Sequence, residues 1–203
     1  MTAVKICGLT RLADAESALA EGADVLGFVT VPSSPRFVSA ATVAGIVADL
    51  PETCTTVAVV ADLGLDQLRR LFDDCGVSRI QLHGEEDAEL ARRAGSHRVW
   101  KACCLKNRAD VRRAASFPCE TVVADTMVDG QRGGTGRTGN WPLARELARR
   151  RRLFLAGGLT PDNVFRAVRT VRPAGVDVSS GVEERPGRKD RARIEAFLAA
   201  VRE

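Results

Sequence analysis

The chain has 203 residues, of which 45% are hydrophobic and 28% charged, a composition typical of a folded globular protein rather than a disordered one. The formal net charge is only +4, the basic residues are scattered apart from a run at 145–152, and no apolar run is long enough to span a bilayer. We therefore predict neither nucleic-acid nor membrane binding and, because no secretory signal precedes the first strand, a cytoplasmic protein.

Strand-like and helix-like patterns alternate along the whole chain. Short apolar runs predict eight strands, at residues 3–8, 24–30, 55–62, 79–83, 98–105, 121–126, 152–158 and 175–181. Amphipathic stretches predict eight helices, at residues 11–22, 39–50, 65–76, 85–95, 108–116, 141–151, 160–171 and 188–202. This strict alternation predicts an α/β protein with a parallel sheet, and eight near-equal units favour a single-domain (β/α)8 TIM barrel over residues 1–203. A doubly wound open sheet is the structural alternative.

The cysteines give no sign of a metal site. Six of them stand at positions 7, 54, 75, 103, 104 and 119, beside only two histidines. None forms a CxxC pair, and most lie inside apolar patterns where a free thiol packs as a small hydrophobe. We therefore expect reduced thiols and no bound metal.

Reactive groups stand where two of the predicted strands end. The active site of such a barrel lies at the carboxyl ends of the strands, where the first strand offers Cys7 and the sixth offers Asp125. A thiol and a carboxyl on different strands can form an acid–base pair. Lys5 lies two residues before Cys7 and so shares its face of the strand. Its ammonium group either favours the Cys7 thiolate or pairs with a carboxylate inside the barrel.

The last two strands end in a pattern that indicates phosphate binding. Gly157 and Gly158 directly precede a helix, and Ser179, Ser180 and Gly181 follow the eighth strand. Glycines let backbone N–H groups approach an anion closely, and the loops after strands seven and eight are the usual phosphate site of these barrels. We therefore expect a small phosphorylated substrate.

Six motifs, taken in order, resemble one enzyme family. The stretches KICGLT, PSSPRFVS, QLHG, GGTGRTGNW, LAGGLTPDNV and GVDVSSGVEERPGRKD are similar to those of the phosphoribosylanthranilate isomerases of tryptophan biosynthesis. The resemblance covers nearly the whole chain. It implies an aldose–ketose isomerase that carries out the Amadori rearrangement of N-(5-phosphoribosyl)anthranilate to 1-(2-carboxyphenylamino)-1-deoxyribulose 5-phosphate. It also implies that no metal and no organic cofactor takes part.

The same resemblance implies roles for individual residues. Asp125 would be the general acid that protonates the ring oxygen of the sugar, and Cys7 the general base that removes the proton from C2. Arg36 would hold the anthranilate carboxylate with its planar guanidinium group. Asp177 would face the sugar hydroxyls, and we expect His83 to contact the substrate as well.

A glycine-rich break follows the sixth strand, at residues 127–140. Long loops in compact domains are often functional. By the resemblance, its residues Gly133, Gly134, Thr135 and Gly136 would belong to a loop over the site.

Five positions depart from the usual family sequence: Thr30, Val60, Asp62, Cys103 and Gly139. We expect these changes to remove aromatic bulk near the mouth of the barrel and to add a carboxylate at Asp62. The acid, base, arginine and phosphate loops are all retained. These retained residues therefore indicate the class of reaction more directly than the exact substrate. A paralogue that acts on a related phosphoribosyl amine remains an alternative.

Two interpretations from other functional classes also stay open. One is a catalytically silent barrel that binds a phosphorylated ligand, although retention of Cys7 and Asp125 argues against it. The other is a synthase of the indole-glycerol-phosphate type, which would need a lysine acid and a glutamate base. Lys101 is available for that chemistry, but the cysteine–aspartate pair would go unexplained. The sequence does not separate a monomer from a homodimer.

Overall fold

The computed structural model describes residues 1–125 and 140–203. Within them eight parallel strands close into one barrel in the order β1 to β8: Ala3–Ile6, Val25–Val29, Thr55–Val60, Arg79–Leu82, Val99–Cys104, Thr121–Asp125, Leu153–Leu155 and Gly175–Val178. The barrel closes because β1 pairs with β8, with Ala3 opposite Gly175 and Ile6 opposite Val178. The predicted (β/α)8 barrel is therefore confirmed, and the open sheet is wrong.

The helices surround this barrel. In the described residues they are α1 to α8: Leu12–Ala20, Ala40–Ala48, Leu65–Cys75, Ala88–Ala94, Arg108–Ser116, Trp141–Ala148, Pro161–Val171 and Arg191–Arg202. A short antiparallel hairpin, β9 (Glu183–Arg185) and β10 (Arg188–Lys189), precedes α8. No helix in the described part of the chain is long and apolar enough to cross a membrane. The eight parallel strands of the described residues all belong to one barrel, and one domain over residues 1–203 stays a prediction.

Side-chain caps explain where several helices begin. The side chain of Ser39 accepts a hydrogen bond from the backbone N–H of Thr42, as the sequence predicts for α2. Asn163 accepts from the N–H of Thr160 at the start of α7, where Pro161 occupies the first helical position. These caps fix the points at which the chain leaves each strand end and enters a helix.

The strand side chains form two separate layers because successive residues point to opposite faces of the sheet. One cluster fills the barrel interior: Val25, Val57, Trp100, Ala102, Val123, Phe154 and Ala156. A larger cluster, which includes Ile6, Leu26 and Ala58, packs between the strands and the helices. Residues in step with the interior cluster, such as Asp125 on β6, therefore face into the barrel at its carboxyl end.

This alternation corrects the expectation for two of the departures from the family sequence. Val60 packs in a cluster outside the barrel with Leu68 of α3 and Ala91 of α4. Cys103 packs against the larger cluster between strands and helices, since its neighbour Ala102 belongs to the interior. Neither residue lies at the barrel mouth, so the prediction that these two changes remove aromatic bulk there is wrong.

Candidate active site

The carboxyl end of β1 brings Lys5 and Cys7 to the interior face. Lys5 is fully buried, and its Nζ donates to Asp177 Oδ2 over 2.8 Å, because the register places the two residues opposite each other. Gly27 on β2 makes room for this arrangement: a Cβ there would lie 2.8 Å from Cys7 Sγ and 3.1 Å from Lys5 Nζ. Of the two roles open to Lys5, pairing with a carboxylate is confirmed.

The electrostatics of Cys7 are set by opposing effects. Burial raises the pKa of the Cys7 thiol, because a thiolate is poorly solvated there, and the Lys5 ammonium opposes this increase. The Asp177 carboxylate reinforces the increase, and the net direction of the pKa is upward. Burial alone would lower the pKa of Lys5, but Asp177 and Cys7 outweigh it and raise that pKa. Lys5 therefore pulls Cys7 towards the thiolate, as expected, but does not overcome burial.

A chain of three side chains leads to Asp125 at the end of β6. His83 Nε2 lies 3.4 Å from Asp125 Oδ2, and His83 Nδ1 lies 3.1 Å from Gln81 Nε2. Gln81 and His83 are two residues apart, so both face the interior from β4. Gln81 is 1% exposed, whereas the side chains of His83 and Asp125 are 38% and 21% exposed. The structure thus brings His83 to the candidate acid and holds it there with a buried amide.

Arg36 lies on the opposite side of the mouth, in the loop after β2. Its Nε and Nη2 donate to the two carboxylate oxygens of Glu183 over 2.8 and 2.7 Å. Lys189 Nζ donates to Glu183 Oε1 over 2.8 Å and to the carbonyl oxygen of Cys7 over 2.5 Å. The candidate base and the candidate carboxylate-binding arginine are therefore linked through two residues of the β9–β10 hairpin.

The loops after β7 and β8 meet where phosphate binding is predicted. Gly157 and Gly158 have φ angles of 85° and 67°, a left-handed conformation that favours glycine. A Cβ on Gly181 would lie 2.0 Å from the carbonyl oxygen of Leu159, so only glycine fits between the two loops. Asn163 Nδ2 donates to the carbonyl oxygen of Gly158 over 2.9 Å. This arrangement brings the Ser180–Gly181 backbone close to the start of α7.

Two polar atoms at the mouth are buried without a hydrogen-bond partner among the described residues, Asp177 Oδ1 and Ser179 Oγ. The Ser179 hydroxyl lies beside Gly8, whose Cβ would come within 2.8 Å of it. Buried polar atoms normally find partners. The Asp177 oxygen is therefore a ready acceptor for a ligand hydroxyl.

Asp62 and Lys101 take part in a separate cluster. Lys101 Nζ donates to Glu86 Oε2 over 2.9 Å and to the carbonyl oxygen of Gly84 over 2.5 Å. Asp62 adopts a φ of 56°, and its carboxylate accepts from the N–H of Glu85 over 2.8 Å. Lys101 alternates with the interior residues of β5, so it faces away from the barrel interior. It is poorly placed to serve as the lysine acid of a synthase.

The remaining site predictions fall partly outside the described residues. Gly133, Gly134, Thr135, Gly136 and Gly139 all lie there. Among the described residues no group of three or more His, Cys, Asp and Glu side chains could hold a metal ion.

Sequence reasoning missed Glu183 and Lys189 as parts of the site. The stretch GVEERPGRKD contained a signal, because Pro186-Gly187 is typical of a tight turn and would bring the flanking charges together. Sequence reasoning also missed Gln81 as a partner of His83. Its spacing of two from His83 could have placed both side chains on one face.

Comparison with known proteins gives consistent matches along the barrel. A family model described as N-(5'phosphoribosyl)anthranilate (PRA) isomerase matches residues 4–200. The N-(5'-phosphoribosyl)anthranilate isomerase of Pelobacter propionicus is 41% identical over 204 residues, which cover 100% of this chain and 97% of the relative.

Two of the similar crystal structures each match 100% of this chain over 99% of their own. One is a phosphoribosyl anthranilate isomerase in complex with reduced 1-(o-carboxyphenylamino)-1-deoxyribulose 5-phosphate, with a TM-score of 0.88 and 35% identity. The other shows monomers generated from the dimeric enzyme of Thermotoga maritima, with a TM-score of 0.88 and 36% identity.

Proposed function

The chain belongs to the N-(5'-phosphoribosyl)anthranilate isomerase family and is an isomerase of tryptophan biosynthesis, and from this premise we propose that Cys7 is its general base and Asp125 its general acid. The proposed reaction converts N-(5'-phosphoribosyl)anthranilate to 1-(2-carboxyphenylamino)-1-deoxyribulose 5-phosphate. The observation that carries the assignment is geometric. A buried thiol and a partly exposed carboxyl face inwards at the same end of a closed barrel.

In the proposed mechanism Asp125 and Cys7 each transfer one proton, and a tautomerisation follows. Asp125 donates a proton to the furanose ring oxygen, the bond from that oxygen to C1 breaks, and an open-chain Schiff base forms. Cys7 then removes the proton from C2, and the electron pair moves to give an enolamine. The enolamine tautomerises to the ketone when the C2 hydroxyl loses its proton and C1 gains one. Asp125 thus acts on the oxygen bonded to C1, and Cys7 acts on the proton of C2.

Three features of the mouth support substrate binding in this orientation. The unpartnered oxygen of Asp177 can accept from a sugar hydroxyl. Arg36 presents a guanidinium group suited to the anthranilate carboxylate. The loops that contain the left-handed Gly157 and Gly158 and the tightly packed Gly181 would bind the phosphate through their backbone N–H groups.

The position of His83 beside Asp125 gives the histidine a role in the proposed mechanism. A partly exposed histidine whose Nε2 lies 3.4 Å from the carboxyl oxygen of the acid can return a proton to Asp125 after each turnover. Gln81, on the far side of the ring, keeps the imidazole pointing at the carboxyl group. Contact of His83 with the substrate, the original expectation, is compatible with this role.

The experiment measures the loss of anthranilate-type fluorescence with freshly prepared phosphoribosylanthranilate. Cys7→Ala should lose nearly all turnover and retain the fold, because the thiol moves a proton. Cys54→Ala is the matched control, since it removes a thiol that lies just before β3. Turnover near that of the unaltered protein in Cys7→Ala would overturn the assignment. Lack of activity in the unaltered protein would instead support a silent barrel or a different phosphoribosyl amine.

A further inference from the structure

The β9–β10 hairpin places two buried charges beside the arginine of the site. Glu183 is 5% exposed and Lys189 is 7% exposed. We propose that Glu183 is a positioning residue: it fixes the direction of Arg36 and thereby sets the preference for a substrate with a carboxylate on its aromatic amine. Lys189 ties Glu183 to the strand end that carries Cys7. This inference rests on the proposed function, in which Arg36 binds the substrate carboxylate.

The contact between Arg36 and Glu183 leaves the guanidinium group little freedom. Two parallel N–H···O hydrogen bonds hold one edge of the planar group, at 2.8 Å from Nε and 2.7 Å from Nη2. The other edge, formed by Nη1 and the second proton of Nη2, has no hydrogen-bond partner among the described residues. A planar group held by one edge presents the opposite edge in one direction only. That free edge can bind a second carboxylate in the same two-point manner.

Lys189 connects the Arg36–Glu183 pair to the candidate base. Its ammonium group has three protons, and the structure gives them three acceptors: Glu183 Oε1, the Cys7 carbonyl oxygen and the Ser179 carbonyl oxygen. The last of these distances is 3.2 Å. Lys189 thus fixes Glu183 relative to the ends of both β1 and β8. The distance between the base and the carboxylate-binding edge is set by one rigid cluster.

Packing restricts the aliphatic part of Arg36 as well. Gly8 has a φ of 75°, and a Cβ on it would lie 2.5 Å from Arg36 Cδ. The arginine side chain therefore passes directly over the backbone that follows Cys7. Thr10 holds the hairpin from the same segment, because its hydroxyl donates to the carbonyl oxygen of Gly187 over 2.6 Å.

The charge of the cluster suits an anionic ligand. Two cations, Arg36 and Lys189, surround one carboxylate, which leaves one net positive charge at the mouth. Burial alone would raise the pKa of Glu183, but the contacts with Arg36 and Lys189 outweigh it and lower that pKa. Glu183 therefore stays ionised, and it directs Arg36 without cancelling the charge that attracts the substrate.

The test compares two substrates that differ in one group: phosphoribosylanthranilate and its analogue made with aniline, which lacks the carboxylate. Glu183→Gln should raise the KM for phosphoribosylanthranilate by about 10- to 100-fold, the usual effect of a misdirected charge-assisted hydrogen bond. The KM for the aniline analogue and both kcat values should change little. Glu184→Gln is the matched control, because Glu184 is an exposed neighbour that pairs with Arg188 on the hairpin surface. That control should alter neither KM.

A second variant covers the case in which Glu183→Gln fails to fold. Glu183→Asp keeps the negative charge for Lys189 but withdraws the carboxylate from Arg36, so it should also reduce the discrimination between substrates. Equal increases of KM for both substrates in either variant, or no increase at all, would overturn the proposal. Arg36→Met tests the role of Arg36 separately from the role of Glu183. If Arg36→Met still discriminates between the two substrates, the carboxylate-binding role of Arg36 is wrong, whereas discrimination lost in Arg36→Met but kept in the Glu183 variants removes the role of Glu183 alone.

Discussion

Replacement of Lys5 by methionine should affect stability and catalysis by two separable routes. Methionine keeps the length of the side chain and removes the charge. Asp177 then remains 8% exposed without its cation. Removing one partner of a buried ion pair typically lowers the free energy of unfolding by about 3–5 kcal/mol. The double variant Lys5→Met/Asp177→Asn should recover most of this loss, because a neutral amide is easier to bury.

The catalytic effect follows from the position of Lys5 beside Cys7. Both Lys5 Nζ and Cys7 Sγ lie near the point where a Gly27 Cβ would stand, at 3.1 and 2.8 Å. They are therefore separated by at most about 6 Å, at which two unit charges attract by about 3 kcal/mol at an effective dielectric constant of about 20. Loss of this attraction should reduce turnover at neutral pH by roughly 100-fold. Because the Cys7 pKa rises further, activity should be partly restored at higher pH.

Urea unfolding measures the first effect, and the pH dependence of turnover measures the second. Alkylation by iodoacetamide, followed at Cys7 by mass spectrometry, reports the thiolate without any need for substrate. Alkylation should be slowest in Lys5→Met and intermediate in the double variant, where the Asp177 charge is also gone. If Cys7 reacts at the same rate in all three proteins, Lys5 does not stabilise the thiolate, and this account of the base is refuted.

Three further predictions concern the acid, the phosphate loops and the hairpin. Asp125→Asn should lower turnover by about 10²–10⁴-fold, since the amide cannot deliver a proton to the ring oxygen of the sugar. Gly181→Ala should lower the free energy of unfolding by about 1–3 kcal/mol, seen by urea, and weaken inhibition by inorganic phosphate, because its Cβ meets the Leu159 carbonyl. The contacts that lower the pKa of Glu183 stabilise the fold at pH values above the ordinary pKa of 4.5. The unaltered protein should therefore lose its advantage in free energy of unfolding over Glu183→Gln as the pH falls below 4.5. Urea unfolding at several pH values measures this difference.

The barrel and its reactive strand ends could be predicted because they depend on local patterns. Alternating strand and helix signals predict a parallel sheet, and in a parallel sheet all carboxyl ends lie together. Cys7 and Asp125 therefore fall at one mouth without any knowledge of packing. The capping residue Ser39 is equally local, because its partner is three residues away.

The features of the site that the sequence does not predict depend on strand register and on closure of the barrel. Val60 and Cys103 were assigned to the mouth, but a shift of one residue along a strand moves a side chain from the inside of the barrel to the outside. The pairing of Arg36 with Glu183 joins residues 147 positions apart. It exists only because β1 pairs with β8 and so brings the hairpin beside the loop after β2 that carries Arg36. No periodicity in either segment indicates such a contact.

Two buried ion pairs lie where the barrel closes, Lys5 with Asp177 and Lys189 with Glu183. Buried ion pairs contribute little net stability, because removing both charges from water costs about as much as their attraction returns. An apolar pair could therefore close β1 against β8 equally well as far as folding is concerned. Each of these pairs, however, also touches Cys7: Lys5 is close to its thiol, and Lys189 binds its carbonyl oxygen. The charges at the closure are thus better explained by the need to position and ionise Cys7, the proposed base, than by the stability of the barrel.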